Sequence, residues 1–422
     1  MQQRPMRRLV SALRCLLPSV VLPLLIPLFI PVLLVMLWLA ERSHGPSSAP
    51  PHPTTSRHGW AALRPKPSER LLVFAVHPDD ELVGAGAYLA AARGPTLIVY
   101  LTRGEASYAR RLEVSHGSHP RSARERLGRQ RTKEARLGLG HLNRRSERPA
   151  RTLVLPFPDR DLERLLPDAP TAWQPESASR FYGMARRIVA QFRPDVVLLP
   201  LVYDRHPDHR AAGALLSLAA LGTRARTYGY LVHWPLWPIP GGYTPRLALR
   251  PPRALLGSGL TWYRVPITPS ERRSLLYALY EHRSQFGLGA PYLLAFLRAN
   301  GLLAAVSPLG EGVTIYEPSG VAVSLRGRTL VVRVGRRQIA ATLRAIVLYP
   351  KRRYEALKVT VAKAPLARGV GHLALPPLPR DTPALIFIQG LDRLGQPRWS
   401  TSPRLLLPTA GTPGVPRGNA RG

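Results

Sequence analysis

The chain has 422 residues, with 60 basic against 25 acidic side chains and a formal charge of +35 at pH 7. Only Lys66, Lys133, Lys351, Lys358 and Lys363 are lysines, so the excess is an arginine excess, spread along the chain. A single cysteine, Cys15, excludes an internal disulfide framework and a thiolate metal site. No basic strand interleaved with aromatics and no helix-turn-helix or finger spacing marks a nucleic-acid binder. The charge itself has two readings: a compositional habit, or attraction to an anionic surface such as lipid headgroups or an acidic glycan.

Residues 1–14 are basic, carrying Arg4, Arg7, Arg8 and Arg14. From Cys15 to Ala40 no residue is charged, a run longer than the ~20 apolar residues that span a bilayer. With arginines before it, residues 15–40 read as a transmembrane signal anchor with its N-terminus in the cytoplasm. The run is long for a signal-peptide core and Trp38-Leu39-Ala40 is a poor cleavage site, so cleavage is the alternative. The expectation is a single-pass protein of the cell inner membrane, its catalytic domain on the extracytoplasmic (periplasmic) side. Residues 41–67, rich in proline and serine, read as a linker whose His44, His52 and His58 are solvated.

Residues 68–301 alternate short apolar runs with amphipathic stretches. The pattern predicts an α/β domain: a Rossmann-like, mostly parallel sheet with helices on both faces. Strands are expected at Leu71–Val76, Thr96–Leu101, Thr152–Leu155, Val196–Val202 and Tyr228–Trp234. Helices are expected at Leu82–Arg93, Ala123–Leu139, Ser177–Phe192, Ala211–Leu221 and Ser270–Phe286. Open sheets of this kind bind ligands at the carboxyl ends of their strands. The polar clusters lie there: His77-Pro78-Asp79-Asp80-Glu81, Thr102-Arg103-Gly104-Glu105, Asp159-Arg160-Asp161 and Asp204-Arg205-His206-Pro207-Asp208-His209.

Crowded carboxylates repel, and a divalent cation is a common compensation. Asp79-Asp80-Glu81 also reads as acids at a helix start, where the dipole favours them. His77 beside Pro78 and the distant His209 favour the metal: His77, Asp80 and His209 would leave open coordination positions, as in a catalytic site. That ligand set admits zinc first and ferrous iron second.

Val76 to Glu81, followed by His206-Pro207-Asp208-His209, resembles the PIG-L/LmbE-like family of zinc-dependent N-acetylglucosaminyl de-N-acetylases. Thr102 to Glu105, Arg131 with Glu134, and Ser284-Gln285 resemble further family segments, and the resemblance runs from about Glu69 to Phe286. It implies that His77, Asp80 and His209 ligate the metal and that Asp79 is the general base on metal-bound water. It implies that His206 stabilises the oxyanion, with Asp208 holding it oriented and charged. Arg131 and Asp159 are expected at the substrate, Asp159 either on a sugar hydroxyl or capping a helix; Glu81 and Thr102 are expected behind the ligands. Arg160 stands where the family often has glycine. His116, His119 and Arg121 lie in a loop that either closes over the site or is solvated. The stretch Pro235–Pro269 has no family counterpart and is expected to shape the substrate groove.

Residues 310–408 change texture. Short strand-like runs separated by turn residues predict a β-sandwich-like domain, a spacer or packing module with carbohydrate binding as the alternative. Residues 409–422 read as a disordered tail. The expected function is a metal-dependent amide hydrolase removing acetyl from an N-acetylglucosamine-containing glycan or glycolipid, a zinc-dependent N-deacetylase. The alternatives are an amidase on another acylated amine, such as a thiol-glycoside conjugate, and a catalytically inactive membrane-anchored glycan-binding module. The expected partners are that glycan or glycolipid and, through the N-terminal helix, the membrane; nucleic acid is not among them.

Overall fold

A computed structural model describes residues 60–406, except 108, 110–118, 144–148, 170–171, 336–337, 339, 352–355 and 380–381. The expected anchor at 15–40, most of the 41–67 linker with its histidines, His116 and the tail at 409–422 therefore lie outside the described residues. Among those described, no helix is long and apolar enough to cross a membrane.

The first sheet has eight strands. β1 (Ala61–Ala62), β2 (Leu71–Ala75), β3 (Thr96–Tyr100), β4 (Arg151–Val154), β5 (Val196–Pro200), β6 (Arg226–Tyr230), β7 (Leu260–Pro266) and β8 (Asn300–Val306) lie in the order β1-β7-β8-β6-β5-β2-β3-β4. All pairings are parallel except those of β8, which runs antiparallel to β6 and β7. The central strands β2 and β5 are buried at every position, as a sheet covered on both faces requires. The chain leaves β2 towards β3 and β4 but leaves β5 towards β6. The crevice between the carboxyl ends of β2 and β5 is thus the point where the winding reverses, and ligands bind such sheets there.

The helices are α1 (Asp80–Val83), α2 (Gly86–Ala91), α3 (Pro120–Asn143), α4 (Pro175–Phe192), α5 (Pro207–Ala220), α6 (Pro269–Tyr280) and α7 (Arg283–Leu294). Two expected helices are each divided. The stretch Leu82–Arg93 breaks at Gly84, where the chain crosses the Tyr230 ring so closely that a Cβ would sit 2.1 Å from it. Ser270–Phe286 breaks at Glu281–His282, where the His282 ring is fully buried. Strands β7 and β8 were not expected; β7 lies inside Pro235–Pro269. β1, paired with β7, places residues 61–62, expected in the linker, on the sheet edge.

The C-terminal strands are β9 (Thr314–Tyr316), β10 (Val321–Arg326), β11 (Thr329–Val334), β12 (Thr342–Pro350), β13 (Leu357–Pro365), β14 (Val370–Ala374), β15 (Ala384–Leu391), β16 (Pro397–Ser400) and β17 (Arg404–Leu406). They form two antiparallel sheets, β14-β11-β10-β9 and β13-β12-β15-β16, with β17 also on β15. β15 is buried at all eight positions, and its alternation explains why. Ala384, Ile386 and Ile388 face the first C-terminal sheet, while Leu385 and Phe387 enter the core of the α/β region.

Candidate metal centre

His77 follows β2 and Asp80 opens α1, while His209 sits in the first turn of α5 after β5. Three of their atoms form a triangle. His77 Nδ1 is 3.4 Å from Asp80 Oδ2 and 3.3 Å from His209 Nε2, and His209 Nε2 is 3.1 Å from Asp80 Oδ2. Ligands of a tetrahedral zinc ion, at about 2.0–2.1 Å from it, stand about 3.3 Å from one another. The donor set therefore fits a divalent ion in both spacing and chemistry. Burial works against the charge on each group, but their attraction prevails: the imidazoles hold the Asp80 carboxyl well below its usual range, while Asp80 and Asp204 hold His209 well above its own.

Two carboxylates lie behind the imidazoles. Asp159 Oδ1 meets His77 Nε2 at 3.1 Å, and its Oδ2 accepts the Ala106 N–H at 2.7 Å. Asp159 thus contacts His77, where the sequence placed it at a sugar hydroxyl or a helix cap. Asp204 Oδ2 lies 3.4 Å from His209 Nδ1 and accepts the N–H groups of Val232 and His233, each at 2.9 Å. Such carboxylate–imidazole pairs fix the tautomer and raise the basicity of a ligand.

His233, after β6, brings a ring nitrogen into the same cluster, with all four candidate ligand atoms within 4.8 Å of one another. Neither His233 nor the role of Asp204 was expected. The available signal was topological: His233 lies beyond the carboxyl end of the strand beside β5.

Asp79 is held by Arg131. Nη2 of Arg131 donates to Asp79 Oδ2 at 2.9 Å and to the Pro78 carbonyl at 3.0 Å, and Nη1 donates to the Gly104 carbonyl at 2.8 Å. Gly104 has φ 64, and a Cβ there would sit 2.2 Å from Arg131 Nη1, so the contact needs glycine. Thr102 accepts the Gly104 N–H at 3.1 Å and donates to the Val76 carbonyl at 2.9 Å, tying the ends of β2 and β3. Arg131, expected at the substrate, is only 3% exposed and engages Asp79 and two carbonyls. Glu134, one turn further along α3, accepts from Ser284 N–H at 3.0 Å and Ser284 Oγ at 2.6 Å, joining the two helical segments that the sequence singled out.

His206 and Asp208 meet at the start of α5, in a second cluster with His77. The Asp208 carboxylate accepts the backbone N–H groups of Arg160 at 2.7 Å and Leu162 at 3.1 Å, and one of its oxygens lies within 4.8 Å of a His206 ring nitrogen. His206 Nδ1 accepts the Asp208 N–H at 3.2 Å as the cap of α5. That bond needs a lone pair on Nδ1, so the ring proton belongs on Nε2. Burial and the neighbouring imidazoles push the His206 pKa down to about 2. Arg160 adopts φ 68, a left-handed backbone that glycine takes without strain. His119 and Arg121 are exposed on the first turn of α3 and its approach, with no contact to the cluster among the described residues.

A doubly wound sheet with a two-histidine, one-carboxylate cluster at its switch point defines a class: an α/β protein whose strand ends carry a cluster able to hold a divalent metal. Within it, residues 72–220 form a PIG-L family domain, matching the family described as GlcNAc-PI de-N-acetylase. Among solved structures, the zinc-inhibited form of a teicoplanin deacetylase is 19% identical with a TM-score of 0.40, covering 56% of this chain and 98% of that one. A conserved protein from Thermus thermophilus is 24% identical with a TM-score of 0.36, covering 57% and 95%. N,N'-diacetylchitobiose deacetylase from Pyrococcus horikoshii is 18% identical with a TM-score of 0.33, covering 52% and 72%. No curated protein matches the sequence.

Proposed function

We propose that the protein is a metal-dependent amide hydrolase that removes acetyl from an N-acetylated amino sugar in a glycan or glycolipid. The triangle of His77 Nδ1, Asp80 Oδ2 and His209 Nε2, with 3.1–3.4 Å edges and Asp79 beside it, carries the reading. The PIG-L domain supports the reaction class. Those three residues would hold zinc, or ferrous iron in its place, and the bound ion supplies Lewis acidity and a more acidic water.

The chain's own groups account for the proton movements. Arg131 occupies Asp79 Oδ2, leaving Oδ1 to take the proton of the attacking water. As water oxygen bonds to the acetyl carbon, negative charge grows on the carbonyl oxygen, and His206 Nε2–H is the donor that would meet it. The C–N bond then breaks, and the proton taken by Asp79 goes to the departing nitrogen. The products are acetate and a free amine. For the cellular setting, the apolar run at 15–40 supports a tether in the inner membrane with this domain outside the cytoplasm; a reporter fused after Pro408 and reading as cytoplasmic would contradict it.

The reaction is tested by freeing the full chain of metal and assaying release of amine from a panel of N-acetylglucosamine lipids and polymers. Activity should vanish on chelation and return with about one zinc per chain. Asp79→Asn should bind the ion as well as wild type while losing at least ~100-fold in turnover. A fully active Asp79→Asn, or a wild-type chain that binds no ion, would refute the assignment.

A further inference from the structure

Loop 234–250, between β6 and β7, leaves the metal cluster directly after His233 and points apolar side chains at solvent. Leu236 is 52% exposed, Ile239 68%, Tyr243 47% and Leu247 47%. One exposed leucine needs no explanation, but four large apolar side chains within twelve residues form the kind of patch that marks an interaction surface.

The loop is pinned in this posture. Gly242 N–H donates to the Pro291 carbonyl at 2.8 Å, and Ala299 N–H to the Leu247 carbonyl at 2.9 Å. Leu249 N–H donates to Asn300 Oδ1 at 3.1 Å, Asn300 Nδ2 returns a bond to the Leu249 carbonyl at 3.1 Å, and the buried Arg298 guanidinium bonds the Pro240 carbonyl. Trp237 Nε1 donates to the Arg250 carbonyl at 2.8 Å. The loop backbone is thus anchored to α7, to β8 and to the residues between them.

Charge selects the occupant. No aspartate or glutamate occurs between Asp208 and Glu271, a stretch in which Arg246, Arg250 and Arg253 are exposed. Arg205, also exposed, lies 4.9 Å over the Trp234 ring at the root of the loop. A second copy of this chain would bring the same arginines, and a net +35, against itself. Apolar and aromatic tips rimmed by arginine suit a bilayer surface, where the tips enter the headgroup boundary and the guanidinium groups meet phosphate. We propose that loop 234–250 docks on anionic phospholipid headgroups, setting the mouth of the metal cluster at the membrane surface. The proposal does not depend on the reaction assigned above.

The test uses the full chain, with Cys15→Ser leaving no native thiol, reconstituted into vesicles of phosphatidylcholine alone or mixed with phosphatidylglycerol. One variant carries Ile239→Cys. A control carries Leu394→Cys, a site 84% exposed on the β15–β16 turn. Each is labelled with an environment-sensitive dye. The dye at 239 should shift to the blue on anionic vesicles and not on neutral ones, while the dye at 394 stays unchanged; tethering by the N-terminus alone would treat both sites alike. Adding Arg246→Glu and Arg250→Glu should remove the shift. Equal behaviour at 239 and 394, an equal shift on neutral vesicles, or a shift that grows with protein concentration in lipid-free detergent would overturn the proposal.

Discussion

Asp79 has φ 142 and ψ −28, outside the regions an L-residue adopts freely. Such a posture costs on the order of 1–3 kcal/mol and persists only where its surroundings hold it. Here they do: Asp79 N–H donates to Glu81 Oε2 at 3.0 Å, the Asp79 carbonyl accepts from Leu82 and Val83, and Arg131 grips both the Asp79 carboxylate and the Pro78 carbonyl. Glu81 thus supports Asp79 and not His77. Burial pushes the Asp79 pKa up to about 6, with the Arg131 cation pulling the other way. If Asp79 is the base of the proposed reaction, it acts only when ionised, so kcat/KM should fall about tenfold per pH unit once pH drops below that pKa. A bound metal cation pulls in the same direction as Arg131, which sets the limb at or below 6 in the loaded enzyme. Arg131→Met removes one of these cations, so its acid limb should move to higher pH. A limb unmoved in this variant would show that Arg131 does not act on Asp79.

At the scale of elements, the C-terminal strands reach the candidate metal cluster through the buried Arg404. Arg404 on β17, 1% exposed, bonds Glu317 with Nε at 3.0 Å, donates to the Ser258 carbonyl at 3.2 Å, and lies 4.7 Å over the Tyr203 ring. Tyr203 immediately precedes Asp204, the carboxylate behind His209. Arg210 in α5 makes a second link, pairing with Asp168 and reaching the Thr401 carbonyl at 3.4 Å. Arg404→Met would leave Glu317 buried without its partner, a loss of about 3–5 kcal/mol in unfolding free energy. Replacing both residues by apolar ones of similar size should recover most of it, because no charge is then stranded. Denaturant titration of the single and double variants checks this. Equal losses in both would place the energy in packing and not in the pair.

For the molecule as a whole, the sequence left the region 310–408 as a spacer, a packing module or a carbohydrate binder. The structure makes it part of the main core: Ile346, Leu348, Leu357, Leu385, Phe387 and Leu405 pack with the α/β residues, while their neighbours along each strand fill the sandwich. A chain ending before Gly310 should therefore expose a large apolar face and be recovered aggregated or dye-binding. A soluble, cooperatively unfolding fragment would show the region to be a spacer after all.

The sequence by itself determined the strands β2, β3, β5 and β6, the clusters at their carboxyl ends and the likeness to de-N-acetylases. These are local signals, because an uninterrupted apolar run ending at His77 or before Asp204 is a buried strand and its ligand-bearing end. Only the tertiary structure decided which carboxylate serves which imidazole. Asp159 is 82 residues from His77, and Arg160 is 48 from the Asp208 carboxylate that accepts its N–H. No spacing encodes which way a side chain turns once strands from different parts of the chain lie side by side. His233 was missed for the same reason: a lone histidine before Trp234 carries no motif until β6 places it against His209, ring centroids 4.6 Å apart.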